Sequence, residues 1–172
     1  PITQGPLVNR QINAPQRNEG NLSLPGDKSI SHRAALLNSI IPGRATVRNF
    51  GPGNDCAATI RCLRALGTQI TSTDGGKCLT INGGTLHEAS EILDAGNSGT
   101  TIRLLAGILA GQSFLSELTG DRSLRTRPMD RVILPLQEMG AIIKGRAHNT
   151  RAPITIQGTA LSGIEYTLPT AS

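Results

Sequence analysis

The chain has 172 residues, 37% of them hydrophobic and only 2% aromatic, and carries a formal net charge of +5. That length and apolar content suit one globular domain with a core of Leu, Ile, Val and Ala, and exclude an intrinsically disordered chain. No run of about 18 apolar residues occurs, so no membrane-spanning helix is expected, and with one Tyr, two Phe and no Trp there is little material for stacking nucleic-acid bases.

The positive balance points to an anionic partner, which is nucleic acid, a membrane surface or a phosphorylated metabolite, or else to a solvated basic surface. Residues 1–20 are polar and show no apolar segment of the secretory type. The first predicted strand, 21–24, runs into a turn at 25–29. An amphipathic helix follows over 31–40, with Ala35, Leu36 and Ile40 among its apolar positions and Pro42-Gly43 as its stop. A strand is predicted at 45–50 and a second helix at 55–66, with Ile60, Leu63 and Leu66 on one face and Gly67 as its C-terminal stop. Short strands follow near 68–71 and 78–81.

The same order recurs after Glu91: a strand at 91–93, a turn at 94–98, a helix over 99–109 and a strand near 114–118. A helix over 129–139 and strands near 141–144 and 154–156 close the unit. Arg33 and Arg103, Gly43 and Gly111, Gly67 and Gly140, and Gly83 and Gly158 are matched pairs about 70 residues apart. A third copy is expected to begin at Leu161, with a strand over 164–168. Its turn, Leu168 to Ser172, repeats the Leu-to-Ser pattern of Leu24 to Ser29 and Leu93 to Ser98. The expected fold is therefore α/β of the α+β type, with repeated βαβαββ units: two units and the start of a third. Residues 1–20 form a lead segment, and 21–172 an incomplete substrate-binding domain with units at about 21–84, 91–158 and 161–172. One such unit leaves apolar helix faces uncovered, so units must pack on shared helices, and the natural polypeptide is expected to continue.

A turn of small residues between a strand and a helix N-terminus is a natural anion site, because free backbone N–H groups and the helix dipole favour negative charge. In the first turn, Lys28, Ser29 and Arg33 either converge on one phosphate or leave Ser29 or Ser31 capping the helix with Arg33 solvated. The second turn, Gly96-Asn97-Ser98-Gly99-Thr100-Thr101, is rich in Gly and hydroxyls; Gly99 permits close approach of backbone to a ligand, and the plain alternative is a capped helix start. The loop 120–128 holds Arg122, Arg125 and Arg127 before a helix, as an anion clamp or a solvated basic loop. Cys56, Cys62 and Cys78 lack zinc-type spacing and read as reduced thiols in a cytoplasm-like compartment, with no metal site. His32, His87 and His148 and the acidic residues form no catalytic or metal pattern, and there is neither a dinucleotide fingerprint nor a Walker loop.

Three stretches, Leu24-Pro25-Gly26-Asp27-Lys28-Ser29-Ile30-Ser31-His32-Arg33, Leu93 through Leu104, and Gly120 through Met129, together resemble the 3-phosphoshikimate 1-carboxyvinyltransferase (EPSP synthase) family. The resemblance runs from about Gly20 to Ser172. It implies a fold of two domains, each of three βαβαββ units. It also implies transfer of the enolpyruvyl group of phosphoenolpyruvate to the 5-hydroxyl of shikimate 3-phosphate by addition and elimination of phosphate, with no cofactor. By this resemblance Lys28, Ser29, Arg33 and Ser172 bind shikimate 3-phosphate, while Lys28, Asn97, Gly99 and Arg127 serve phosphoenolpyruvate, with Lys28 catalytic. The implied partners are these two small molecules and the remaining part of the enzyme or a complementary chain, with neither nucleic acid nor membrane. The implied state is a monomer when complete, in the cytoplasm or, in a plant, the plastid stroma. The third repeat and the second domain, which in the family supplies acid–base carboxylates, lie outside this chain, so it is expected to be inactive alone.

Two other readings are weighed. The UDP-N-acetylglucosamine enolpyruvyl transferases share the fold but usually carry Lys-Asn where this chain has Lys28-Ser29, and usually a reactive Cys (in some members Asp) in the loop matching about 121–127, where no Cys occurs. A basic nucleic-acid-binding module on the same repeat accounts for the charge, but the low aromatic content and the small-ligand turns argue against it.

Overall fold

The computed structural model describes residues 19–167. Helix α1 spans Lys28–Ile40 and begins three residues before the predicted start. The cap is neither Ser29 nor Ser31: the Asp27 carboxylate accepts from the Ile30 N–H at 2.7 Å, an arrangement that satisfies an otherwise orphan donor. Ser31 instead donates to the Asp27 carbonyl and accepts from the Gly51 N–H, both inside the fold.

Strand β1 (Gly43–Arg48) leads to α2 (Asn54–Ala65), which buries Cys56, Ala58, Thr59, Ile60, Cys62 and Leu63. Gly67, at φ +93°, ends α2 as expected, and the Thr68 N–H closes back on the Leu63 carbonyl at 3.0 Å. Strands β2 (Gln69–Thr73) and β3 (Cys78–Gly83) follow, and the first sheet is antiparallel in the order β1-β3-β2.

The second half repeats this plan with one more strand. Strand β4 (Leu93–Asp94) precedes α3 (Gly99–Ala110), β5 (Leu115–Thr119), α4 (Asp130–Glu138), β6 (Ile142–Gly145) and β7 (Arg151–Gln157). The sheet order is β4-β5-β7-β6, with β4 parallel to β5 and the other pairs antiparallel.

Two predicted strands are corrected. Residues 21–24 form no strand. Leu93 in β4 is 2% exposed and pairs with Leu118, whereas Leu22 and Leu24 are 82% and 69% exposed; with neither a paired neighbour nor a covering layer among the described residues, an isolated strand gains nothing from extended geometry. Likewise 164–167 is irregular, with no strand beside it among the described residues; Leu168 and the third turn, including Ser172, fall outside them.

The two halves share one core. Leu36 of α1 and Leu63 of α2 join Ile102, Leu105 and Leu109 of α3, Ile133 of α4 and Ile154 of β7 in a continuous buried cluster. Each such side chain contributes on the order of 1.5–3 kcal/mol by leaving water. Helix α3 is central, touching α1, α2 and α4. This packing brings the N-terminal ends of α1 and α3 into register through α2. Among the described residues one stripe of α1 is uncovered: Ile30 and Leu37, at i and i+7, are each more than half exposed, as is Ile41 just past the helix end.

Candidate functional site

Helices α1 and α3 start alike. Each has one side-chain cap, Asp27 or Ser98, on its third N–H, and the preceding two amides, those of Lys28 and Ser29 or Gly99 and Thr100, have no acceptor among the described residues. Such open amides at a positive helix end suit an anion.

A buried polar chain couples the two starts. His32 Nδ1 lies 2.7 Å from Thr59 Oγ1, and that oxygen lies 2.8 Å from Thr101 Oγ1. The Thr101 hydroxyl also reaches Ser98 Oγ at 2.8 Å and the Asp55 carbonyl at 3.2 Å. Asp55 spans both sides: its carboxylate meets Lys28 Nζ at 3.2 Å while its carbonyl faces Thr101. The Lys28–Asp55 pair is partly solvated, with side chains 59% and 33% exposed. It is therefore a weak tether, worth about 0–1 kcal/mol, from which an arriving anion can draw the ammonium.

Burial pushes the His32 imidazole below its ordinary pKa; Asp55 opposes that shift and Lys28 adds to it. His32 is fully buried, and its Nε2 has no partner among the described residues. It is a core histidine. Cys62 is also buried, and loss of water raises its thiol to about 11, so it stays protonated and unreactive.

The loop 120–127 is sewn onto the second turn. The Asp121 N–H donates to the Gly96 carbonyl at 2.8 Å, and the Asp121 carboxylate accepts from Asn97 Nδ2 and from the Leu124 N–H, both at 2.7 Å. The Asn97 hydrogen bond, followed by that from Leu124, holds the Asp121 carboxyl below the usual carboxylate range. Asn97 turns its other face to Arg127, whose Nη2 donates to Oδ1 at 2.6 Å. The Arg127 guanidinium is thereby carried to Gly99: a Cβ there would lie 3.3 Å from Arg127 Nη1 and 2.7 Å from Arg103 Nη1.

Asn97, Gly99 and Arg127 are thus brought together, and Lys28 is linked to the same helix start through Asp55. Ser29 and Arg33 are exposed on α1 without a side-chain partner among the described residues. Ser172 lies outside those residues. Arg122 and Arg125 leave this group and line a different groove.

Arg103 is the residue that sequence reasoning did not assign to the site. It donates to the Gly99 carbonyl at 3.3 Å and the Pro128 carbonyl at 2.9 Å. Burial, then Arg127 and Arg131, lower its pKa. The repeat carried the signal: Arg103 stands one helical turn after Gly99, as Arg33 stands one turn after Ser29. Among the described residues no three His, Cys, Asp or Glu side chains are grouped as metal ligands, and no helix is long and apolar enough to cross a membrane.

The family model for EPSP synthase (3-phosphoshikimate 1-carboxyvinyltransferase) matches residues 12–172. The chain is 56% identical over 155 residues to the 3-phosphoshikimate 1-carboxyvinyltransferase of Desulforudis audaxviator, covering 89% of this chain and 36% of that protein. It is 52% identical over 163 residues to that of Alkaliphilus metalliredigens, covering 93% of this chain and 38% of that protein. The solved EPSP synthase from Acinetobacter baumannii superposes with a TM-score of 0.84 at 42% identity, covering 89% of this chain and 35% of that one. The chain therefore spans little more than a third of the length of these relatives. On this match, in sequence and in fold alike, the chain belongs to the EPSP synthase family.

Proposed function

We propose that this chain contributes the anion-binding half of a site for enolpyruvyl transfer from phosphoenolpyruvate to the 5-hydroxyl of shikimate 3-phosphate. The observation that carries the reading is the crowding of two guanidinium groups, Arg103 and Arg127, against a glycine at the start of α3. Two cations and two open amides at one helix end favour a compact dianion in contact with backbone. Gly99 keeps that approach clear.

In this reading Asn97, Gly99 and Arg127 hold phosphoenolpyruvate, and Ser29 and Arg33 hold the phosphate of shikimate 3-phosphate, with Ser172 beside it. Lys28 leaves Asp55 to stand between the substrates. Their mutual repulsion opposes encounter, and the cations offset it and hold the hydroxyl and the enol carbon at reacting distance. Addition joins the 5-oxygen of shikimate 3-phosphate to C2 of phosphoenolpyruvate as the hydroxyl gives up its proton and C3 gains one; elimination of phosphate from C2 with loss of a proton from C3 restores the double bond. The carboxylates for the proton transfers belong to the part of the enzyme outside this chain, so the isolated chain does not turn over. The protein works in the cytoplasm as a monomer once completed. A third repeat covers the Ile30–Leu37–Ile41 stripe.

An amide NMR titration of the chain with shikimate 3-phosphate tests this. Shifts at Lys28, Ser29 and Arg33 are expected, with further shifts at Asn97 and Gly99 when phosphoenolpyruvate is added. A well-dispersed spectrum with no change at these residues at millimolar ligand would reject the assignment.

A further inference from the structure

The loop 120–127 divides its arginines. Arg127 turns to Asn97, while Arg122 and Arg125 face a groove of about 520 Å³ whose opposite wall is Arg146 and Arg151. Thr126, Ala147 and Ala152 complete its lining, and no carboxylate takes part. None of the four guanidinium groups has an ion-pair or hydrogen-bond partner among the described residues. Four like charges turned into one groove without a counter-ion repel one another, which a bound anion relieves.

Both walls are fixed. Residues 147–149 all have positive φ, at 49°, 56° and 64°. This turn brings Arg146 and Arg151 together as a backbone bridge. The Asn149 side chain accepts from the Gly145 N–H at 2.8 Å, and the Thr150 hydroxyl donates to the Ala147 carbonyl at 2.7 Å. On the facing wall, buried Leu124 anchors the turn, and the Thr126 hydroxyl donates to the Ser123 carbonyl at 2.8 Å. The Met129 N–H bonds the Thr150 carbonyl at 2.8 Å, tying one wall to the other. The arginine stems therefore start from set positions, and the guanidinium forks close on phosphate oxygens at little backbone cost.

We propose that this groove is a binding site for a small polyphosphate anion, separate from the Asn97–Gly99–Arg127 group. A single phosphate engages one or two guanidinium forks, whereas two or three linked phosphates match four. The volume suits a small ligand, and the absence of an aromatic side chain from the lining removes the stacking platform that single-stranded nucleic acid uses. The inference stands on the groove alone and does not depend on which reaction the family site performs.

The test is calorimetric and NMR titration of the full 172-residue chain with inorganic tripolyphosphate in 0.15 M salt. Saturable one-to-one binding is expected, with amide shifts confined to 122–126 and 146–152. Arg146→Gln/Arg151→Gln should weaken it about tenfold or more, and Arg122→Gln/Arg125→Gln, on the other wall, should do the same. All four side chains are exposed, so circular dichroism should show both variants folded. Arg44→Gln, exposed on β1 and outside the groove lining, should leave the affinity unchanged. Shifts only around Lys28 and Gly99, non-saturable binding, or wild-type affinity retained in either double variant would overturn the proposal. So would a short single-stranded RNA that binds the groove more tightly than tripolyphosphate at the same salt.

Discussion

His32 Nδ1 and Thr59 Oγ1 meet at 2.7 Å in the interior, 27 residues apart in the chain, and through Thr101 they tie the start of α1 to the cap of α3. Each hydroxyl in this chain is buried, so removing one strands its neighbours rather than returning them to water. Thr59→Val keeps the shape and deletes the polar link. We predict a loss of about 1–3 kcal/mol in urea unfolding; a change under 0.5 kcal/mol would mean that the chain of hydroxyls contributes no net stability.

His32 also predicts a pH dependence. Its folded pKa lies below 6.5 because burial disfavours the charged ring, with Asp55 and Lys28 acting in opposite senses. Below 6.5 the unfolded chain therefore binds the proton more readily than the folded one. The stability is full above 6.5 and falls as pH drops from there toward the folded pKa. Denaturant midpoints at pH 7.5 and 5.5 should drop more for the wild type than for His32→Gln. Parallel drops would show that His32 does not carry the effect.

Asn97→Ala should free both of its partners. With the Asn97 hydrogen bond gone, the Asp121 carboxyl, held below 3.8 in the wild type chiefly by that bond, should titrate closer to 3.8. The sign for stability follows: this contribution is present above 3.8 and is lost as pH falls through the folded value. Carboxyl carbon NMR titration reads it directly, and an unmoved Asp121 midpoint would contradict the assigned cause.

Gly99→Ala separates folding from binding. The new methyl group meets only the far ends of Arg103 and Arg127, which can move, and Ala is the better helix former. Thermal stability should stay within about 1 kcal/mol. Affinity for phosphoenolpyruvate, measured in the complete enzyme, should fall several-fold because both guanidinium groups are displaced. Unaltered affinity would remove Gly99 from the site.

Gly120→Ala has no such escape. A Cβ there runs into the Leu124 side chain and comes within 2.5 Å of the Gly96 carbonyl, at the point where the loop joins the second turn. We expect a loss of about 2–4 kcal/mol, visible as a lowered melting temperature. A variant as stable as the wild type would show that this junction relaxes freely.

Local pattern alone determined most of the elements. Apolar residues at helical spacing set α2 and α3, Gly67, Gly111 and Gly140 marked where helices stop, and the spacing of about 70 residues between matched positions announced two copies of one plan. These signals are readable because each depends on neighbours within one or two turns. What only the tertiary structure decided were the long-range partners. Asp55 joins Lys28 to Thr101, Asn97 stands between Arg127 and Asp121, and Arg122 and Arg125 part from Arg127 to face Arg146 and Arg151. The start of α1 moved because the Asp27 carboxylate, rather than a serine, found the free amide. The strand expected at 21–24 is absent because strand pairing is a property of two segments. Leu22 and Leu24 carry the alternation but lack the neighbour that Leu93 has in Leu118.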